Sequence, residues 1–507
     1  MRITNKIISQ NSITNINNNK VLENKLNTQL ATGSKINRPS DDPVVAIRAL
    51  RLRTNLNQVS QYYTKNVPDA ESWLDVTESA ISTVIEIVTD MYSNCTQGAA
   101  GFNTADDRGK ILDNLKALQE EVYATGDADY AGRYVFSGYR TDTPLTFGVA
   151  TEKTYSITEQ LTSDSLGEMT YVDVAGLDMM TEGNAEALGT KEQEISTNQV
   201  YRLRLAYENC SDAMAPTITY YDENGAQQTI TADILSLNDQ AQDPYLSAET
   251  SASGAVFIPE TGELILSKAN YDSLALVKDD PATLDVDEGE IRVTYEKTEF
   301  AKSDIRPEHY FYCESDGITY NEGYLTGATD DNSNQFISYD VGFNQDVRVN
   351  TLAKELFSTD LSRDVDDLVT AIEDVEAMEK NITILEDMIK LDPSNQDLKD
   401  RLFAAKKANT FLTDKMQKLF EANVANMQGH LDQANTALTA TGNRGARVEL
   451  VSNRLAKQEV NFKTLSSQNE DVDVTEVAVN LSSVELAYQA ALMATGKISQ
   501  TTLLNYL

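Results

Sequence analysis

From Val45 onward the apolar positions of this 507-residue chain advance in alternating steps of four and three, through Ala49, Leu52, Leu56, Val59, Tyr63, Asn66, Ala70, Trp73, Thr77, Ala80, Val84 and Ile87 to Met91. Steps that average 3.5 residues are the seam of a coiled coil, because they keep one stripe of a slightly under-wound helix turned towards a partner. The alternation returns near the other end at Val474, Val477, Leu481, Val484, Tyr488, Ala491, Thr495, Ile498 and Thr502. At 1.5 Å per residue the first seam makes a helix of about 70 Å, too long to bury its stripe inside one compact domain. The economical arrangement pairs the two ends of the chain along each other. Trp73 and the seam tyrosines share the register of Leu52 and Val84, so they read as core packing rather than as an aromatic binding site.

Ahead of the first seam, residues 1–38 are rich in Asn, Ser and Thr with a thin apolar stripe, clearest at Leu22, Leu26 and Leu30. That stripe supports a helix too weak to stand alone. Gly33 breaks it, and Asn37-Arg38-Pro39-Ser40-Asp41-Asp42-Pro43 reads as a turn leading to an N-cap, with Pro43 tolerated in the first helical turn. Pro68 falls inside the long helix, where it removes a backbone hydrogen bond and clashes with the preceding turn; a kink near Asn66 is expected. A second helix over roughly 106–125 carries Ile111, Leu115, Leu118 and Val122 on one face and is expected to fold back on the first.

Between about Tyr134 and Tyr339 the period changes to short strand-like runs, such as Thr217-Ile218-Thr219-Tyr220, Ala255-Val256-Phe257-Ile258, Glu263-Leu264-Ile265-Leu266 and Ile291-Arg292-Val293-Thr294-Tyr295. Asp222-Glu223-Asn224-Gly225 and Glu260-Thr261-Gly262 have the chemistry of hairpin turns, which predicts an antiparallel β-rich insert. Helical periodicity resumes near Leu361, pauses at Asp392-Pro393-Ser394 as at the tip of a helical hairpin, and is expected to break again at Thr441-Gly442-Asn443. A last long helix through Val448, Val451, Leu455 and Phe462 then leads to the terminal seam. The fold class is therefore α+β: an elongated helical bundle built from paired N- and C-terminal segments, with an inserted β-rich domain.

A formal charge of -37 argues against binding nucleic acid or an anionic membrane face, since either needs clustered Lys and Arg. No run of 18 apolar residues occurs, and the start lacks the apolar core of a cleaved secretory signal; the expectation is the cytoplasm, or secretion by a route that reads no cleaved signal. Three distant cysteines, Cys95, Cys210 and Cys313, suit neither a disulfide framework nor a zinc knuckle. The two histidines, His309 and His430, lack metal-ligand spacing, and no phosphate-cradling loop or nucleophile elbow is present, so neither a metal nor another cofactor is expected. Adjacent pairs such as Asp41-Asp42, Asp330-Asp331 and Asp366-Asp367 read as helix caps or solvated faces. The insert is the one place left for a hidden catalytic carboxylate pair.

The terminal motifs carry a resemblance. Met1-Arg2-Ile3-Thr4 followed by Ala31-Thr32-Gly33-Ser34-Lys35-Ile36-Asn37-Arg38-Pro39-Ser40-Asp41-Asp42-Pro43 is similar to the terminal motif of the bacterial flagellin family. The Pro-Ser-Asp-Asp-Pro form, with Gly132-Arg133-Tyr134-Val135-Phe136-Ser137-Gly138-Tyr139-Arg140-Thr141, resembles the hook-filament junction branch, hook-associated protein 3, more than flagellin itself. Val341-Gly342-Phe343-Asn344, Gly442-Asn443-Arg444-Gly445-Ala446-Arg447 and the ending Thr501-Thr502-Leu503-Leu504-Asn505-Tyr506-Leu507 fit the same class, over about residues 1–147 and 338–507.

The resemblance implies that residues 1–40 and 470–507 are disordered in the free subunit and form an inner coiled coil on assembly. It implies a helical rod from 41–140 and 341–469, and a solvent-facing insert over 141–340. The inner-coil residues are then Leu22, Leu26, Leu30, Val477, Leu481, Val484, Tyr488, Ala491 and Ile498, with Asn37 to Pro43 as the inter-domain turn. It implies an extracellular, non-enzymatic component of the flagellum, exported by the flagellar type III apparatus with an export chaperone. Its partners would be hook-associated protein 1, flagellin and further copies of itself in a ring. A flagellin is the alternative; an enzyme sited in the insert and a coiled-coil adhesin are more distant ones.

Overall fold

The computed structural model describes residues 5–101, 103–174, 177, 195–237, 242–277, 291–322, 324 and 335–504. The chain divides into two units, the first made of residues 1–70, 339–347 and 447–507 and the second of 71–338 and 348–446. The α+β architecture has long helices at both ends of the chain and a β-rich region between them.

In the first unit, helix α1 (Asn5–Thr32) stops at Gly33, whose φ of 68° is the left-handed conformation that glycine adopts most readily. The amide of Val472 donates to the Gly33 carbonyl at 3.0 Å and that of Lys35 to the Glu470 carbonyl at 2.7 Å, tying the end of α1 to the connection ahead of the last helix. The turn that follows is organised by two neighbouring carboxylates. Asp41 Oδ2 accepts from the amides of Asn37 (3.1 Å) and Arg38 (3.0 Å), which hold its carboxyl below the usual range. Asp42 Oδ1 accepts from Val44 and Val45 and caps α2 (Pro43–Gln61), with Pro43 in the first turn.

Where a kink near Asn66 is expected, the helix instead carries a single π-helical turn, Tyr62–Asn66, between α2 and α3 (Val67–Gly98). Pro68 has no N–H to donate and its ring crowds the carbonyl four residues back; one i→i−5 bond, from Val67 N to Tyr62 O, carries the helix past that obstacle. A hairpin, Ser338–Gly342 with Gln345–Arg348, meets this turn: Asn66 donates to the Asp340 carbonyl at 2.8 Å and the Tyr62 and Phe343 rings lie edge to face at 5.7 Å.

The second unit holds the rest of α3, with Trp73, Leu74, Ile81, Val84, Val88 and Met91 buried. Helix α4 (Ala105–Thr125) starts with a capping box between Thr104 and Asp107. It runs antiparallel to α5 (Asp360–Leu391), as the pairs Arg108–Glu379 (2.7 Å), Lys116–Glu373 (3.1 Å) and Tyr123 hydroxyl to Ser358 carbonyl (2.9 Å) show. Asp392-Pro393-Ser394 is the hairpin tip, and α6 (Gln396–Glu470) returns along α5.

The break expected at Gly442-Asn443 does not occur, since α6 is continuous through it. Glycine inside a helix costs only about 1 kcal/mol relative to alanine. Packing on either side offsets that cost: Ala434, Ala437, Val448 and Val451 are buried, and Arg444 donates to the Asn350 carbonyl at 2.7 Å.

The insert contains a six-stranded and a five-stranded sheet. Taking strands β1 (Asp129–Tyr130), β2 (Arg133–Tyr134), β3 (Thr151–Leu161), β4 (Leu166–Asp173), β5 (Ser196–Arg204), β6 (Thr217–Tyr221), β7 (Gln227–Thr231), β8 (Asp233–Ile234), β9 (Ala255–Ile258), β10 (Glu263–Leu266), β11 (Ile291–Phe300), β12 (Tyr312–Ser315) and β13 (Ile318–Tyr320), the orders are 13-12-3-11-6-7 and 4-5-10-9-8. Both expected hairpin turns are present, Gly225 closing β6–β7 and Gly262 closing β9–β10 with positive φ. The insert is not wholly antiparallel, because β8 pairs parallel to β9. The chain between them is long enough, with its own short helix Pro244–Ser247, to make the crossover that a parallel pair requires. Strands β9 and β10 are buried along their whole length, with Phe257 and Leu264 in one apolar cluster and Val256 and Ile265 in another.

Candidate functional site

The last helix, α7 (Val474–Leu504), is capped by Asp473, whose Oδ1 accepts from Thr475 (2.9 Å) and Glu476 (3.2 Å). It lies along α1 in antiparallel fashion: the end of α1 meets the start of α7, and Lys20 Nζ stands 5.6 Å from the centre of the Tyr488 ring. The covered positions of α1 are Ser9, Ser12, Ile16, Asn19, Glu23, Leu26 and Leu30, a heptad series that is largely polar. Those of α7 are Val477, Leu481, Val484, Tyr488, Ala491 and Thr495.

Of the residues picked out as inner-coil positions, Leu26 and Val477 are buried, at 8% and 7% exposure. Leu30, Leu481, Val484, Tyr488 and Ala491 are half-buried on the same seam. Leu22 is 43% exposed and stands off it. Ile498 belongs to α7, but its side chain lies outside the described residues, as do Met1 to Thr4, Asp330-Asp331 and Asn505 to Leu507.

A second set of apolar side chains is left uncovered. Ile7, Ile13 and Val21 on α1, Val44, Ile47 and Leu50 on α2, and Val474, Val479, Leu486, Leu492 and Met493 on α7 are all exposed, Leu486 and Met493 at 69% and 68%. Heptad counting looks for one stripe and passes over all of these except Val474, which it places on the terminal seam and which is instead 56% exposed. The signal for them is that α7 is apolar nearly all the way round, which is the pattern of a helix enclosed on every side. Within one chain α1 covers a single side, so the remaining faces are available to other chains.

Where the helical region passes into the insert, Ala131 and Gly132, with φ of 53° and 77°, turn the β1–β2 hairpin. That turn sets the Arg133 guanidinium 4.8 Å from the Trp73 ring centre, while Trp73 itself is fully buried against Tyr130, as the core reading expects. Val135 and Phe136 from the same motif are buried, and Phe136 meets Phe357 edge to face.

Helix α5 is joined to the five-stranded sheet by ion pairs. Arg202 Nη1 reaches Asp367 at 3.1 Å, Arg204 reaches Asp367 at 3.0 Å and Asp364 at 2.8 Å, and His430 contacts Asp364 at 3.2 Å. Burial alone would raise the Asp367 carboxyl; Arg202 and Arg204 outweigh it and hold the group below its usual value. The sequence reads Asp366-Asp367 as a helix cap or a solvated face, whereas Asp367 anchors this junction. Among the described residues no cluster of three or more His, Cys, Asp or Glu could hold a metal ion, and no helix is long and apolar enough to cross a membrane.

Residues 3–141 match the bacterial flagellin N-terminal helical region and residues 424–507 the bacterial flagellin C-terminal helical region. Both ends of the chain are thus similar to the helical terminal regions of bacterial flagellins. The chain is 28% identical over 143 residues to flagellar hook-associated protein 3 of Salmonella typhimurium, which is 28% of this chain and 45% of that protein. It is also 27% identical over 122 residues to a flagellin of Clostridium tyrobutyricum, 24% of this chain and 32% of that one. The chain thus spans less than half the length of these relatives. Among solved structures, Xanthomonas campestris FlgL aligns over 82% of this chain and 99% of its own at 10% identity, with a TM-score of 0.31; the terminal sequence regions carry the assignment, not that likeness.

Proposed function

We propose that this chain is a structural adaptor at the hook-filament junction of the bacterial flagellum, joining hook-associated protein 1 on one side to flagellin on the other as a ring of identical subunits. The observation that supports it most directly is the uncovered apolar surface of α1, α2 and α7, carried by the two terminal regions that define the family. The largely polar α1 seam makes the α1–α7 pair marginal by itself, so residues 1–40 and 470–507 order fully only when neighbouring subunits cover them. Leu26, Leu30, Val477, Leu481, Val484, Tyr488 and Ala491 are then the inner-core contacts, joined by Ile498 and Leu22, and the Asn37 to Pro43 turn sets the angle between inner and outer helices. Weakly structured ends also suit export of the unfolded chain by the flagellar type III apparatus, escorted by a chaperone.

The test is deletion of the gene. Hooks without filaments, and flagellin lost to the medium, are the expected phenotype; intact filaments would overturn the junction role. A filament subunit is the second reading, favoured by the flagellin relative. Purified chain seeded on filaments alone separates the two, since a flagellin elongates them and a junction protein does not.

A further inference from the structure

The six-stranded sheet ends on β7, Gln227–Thr231, which pairs with β6 alone among the described residues. Hydrogen bonds at its two ends fix which way its backbone points. The Asp222 amide donates to the Ala226 carbonyl at 3.0 Å and the Ala232 amide to the Pro216 carbonyl at 2.9 Å. Facing pairs in an antiparallel ladder alternate between bonded and non-bonded, so the unshifted register between those ends makes Tyr220–Gln228 and Ile218–Ile230 the bonded pairs. The N–H and C=O groups of Gln227, Thr229 and Thr231 therefore point away from β6, off the edge of the sheet. Their side chains share one exposed face, while Ile230 on the other packs against the core of the insert.

Sheet edges are ordinarily guarded against other chains by charge, proline, a bulge or brevity. The remaining edges of the two sheets fit that rule: β4 carries Glu168 and Asp173, and β8 and β13 are two and three residues long. β7 has five residues with no charge, no proline and no register shift, in a chain whose formal charge is -37.

We propose that β7 is an interface with a second copy of this chain, the two strands running antiparallel about a two-fold axis at Thr229. In that register Thr229 faces the partner's Thr229 and Gln227 faces the partner's Thr231, so every outward N–H and C=O of β7 meets its complement. A second copy is the occupant that the chemistry favours. An edge centred on Thr229 offers the same order of donors and acceptors from either direction, and facing threonines stabilise antiparallel strands. An uncharged strip is also where two such acidic chains approach with least repulsion. The carboxylates that flank it are turned to their own chain, Asp222 to the amides of Asn224 and Ala226 at 2.9 Å and Asp233 to the Ser253 hydroxyl at 3.2 Å. A two-fold pair cannot repeat around a ring, so it joins free subunits; the inference goes beyond the junction role and does not depend on it.

The experiment is sedimentation equilibrium of the full chain, with a species of twice 56.0 kDa expected, tightening as sodium chloride screens the two acidic chains. Thr229→Lys sets like charges opposite each other and should weaken the dimer about tenfold or more. Thr229→Pro removes an outward N–H that the β6 ladder does not use, so it should return the chain to 56.0 kDa without lowering the midpoint of thermal unfolding. Leu486→Ser with Met493→Ser, on the exposed face of α7, should leave the dimer intact. The register is read by oxidative cross-linking with copper phenanthroline, since facing bonded residues have Cα atoms about 5.5 Å apart, within reach of a disulfide. Thr229→Cys should cross-link with itself, whereas Gln227→Cys and Thr231→Cys should cross-link only when mixed. A monomer at every salt concentration would overturn the proposal. So would a dimer that survives Thr229→Lys, one abolished by the α7 variant, or cross-linking of Gln227→Cys alone as efficient as that of Thr229→Cys. Thr229 is exposed, so Thr229→Lys tests the edge even if Thr229→Pro fails to fold.

Discussion

Replacing Glu159 with Gln should stabilise this protein in a way that grows with pH. Glu159 sits on β3 at 2% exposure, and its Oε1 accepts from the Ala206 amide at 2.9 Å and from the Tyr295 hydroxyl. Burial is the dominant influence, only partly opposed by those two donors, and it pushes the carboxyl from 4.5 up to about 7. A carboxyl whose folded value is raised contributes stability that is fully present below pH 4.5 and is lost as pH rises through about 7. Raising the carboxyl from 4.5 to about 7 corresponds to about 3 kcal/mol. Glutamine keeps the accepting oxygen and cannot ionise, so Glu159→Gln should match the wild type near pH 4.5 and exceed it by up to about 3 kcal/mol at pH 8. The measurement is urea unfolding followed by circular dichroism across that range, read as the difference between variant and wild type. The difference is essential because His309 slopes the other way. Burial lowers its value from 6.5 to about 4, while Nε2–H donates to the Pro144 carbonyl at 3.0 Å; its contribution is present above pH 6.5 and lost on acidification. In the wild type the two slopes oppose each other between about pH 4.5 and 6.5. If the advantage of Glu159→Gln is the same at pH 5 and pH 8, the reasoning is refuted.

Three further outcomes are expected. Gly442→Ala should raise the midpoint of thermal unfolding, since a Cβ there meets open space and alanine is favoured in a helix by about 1 kcal/mol; a lower midpoint would show that the glycine has a packing role. Gly262→Ala should destabilise the insert by more than the roughly 1–2 kcal/mol of a left-handed residue, because the new Cβ would also collide with the Tyr207 carbonyl; denaturant titration checks it. Leu486→Ser with Met493→Ser should leave the helical content of the free chain unchanged but block incorporation into flagella in a complemented deletion strain. Each buried side chain is worth about 1.5–3 kcal/mol at an interface, so normal incorporation would place those faces outside the assembly contacts.

The α2–α3 seam was legible to its last position. Every residue from Val45 through Met91 in the four-three series is buried or half-buried, and the turn from Asn37 to Pro43 is held by the two aspartates that the motif supplies. The terminal seam was legible in part, because Leu22 has the right spacing on the thin stripe yet faces away. The break at Gly442 was misjudged, since a local propensity of about 1 kcal/mol was weighed without the packing that outvotes it.

What the sequence determined by itself was whatever a few neighbouring residues decide: helix periods, caps, hairpin turns and the apolar excess of α7. Those are short-range energies, and they are written in consecutive residues. Tertiary structure alone decided the parallel pairing of β8 with β9, the placing of Arg202 against Asp367, and the enclosure of Arg363 with one donor unspent among the described residues. Each depends on segments far apart in the chain being brought together, where desolvation turns an ordinary exposed charge into an anchor or an open donor, and no local pattern records which residues will meet.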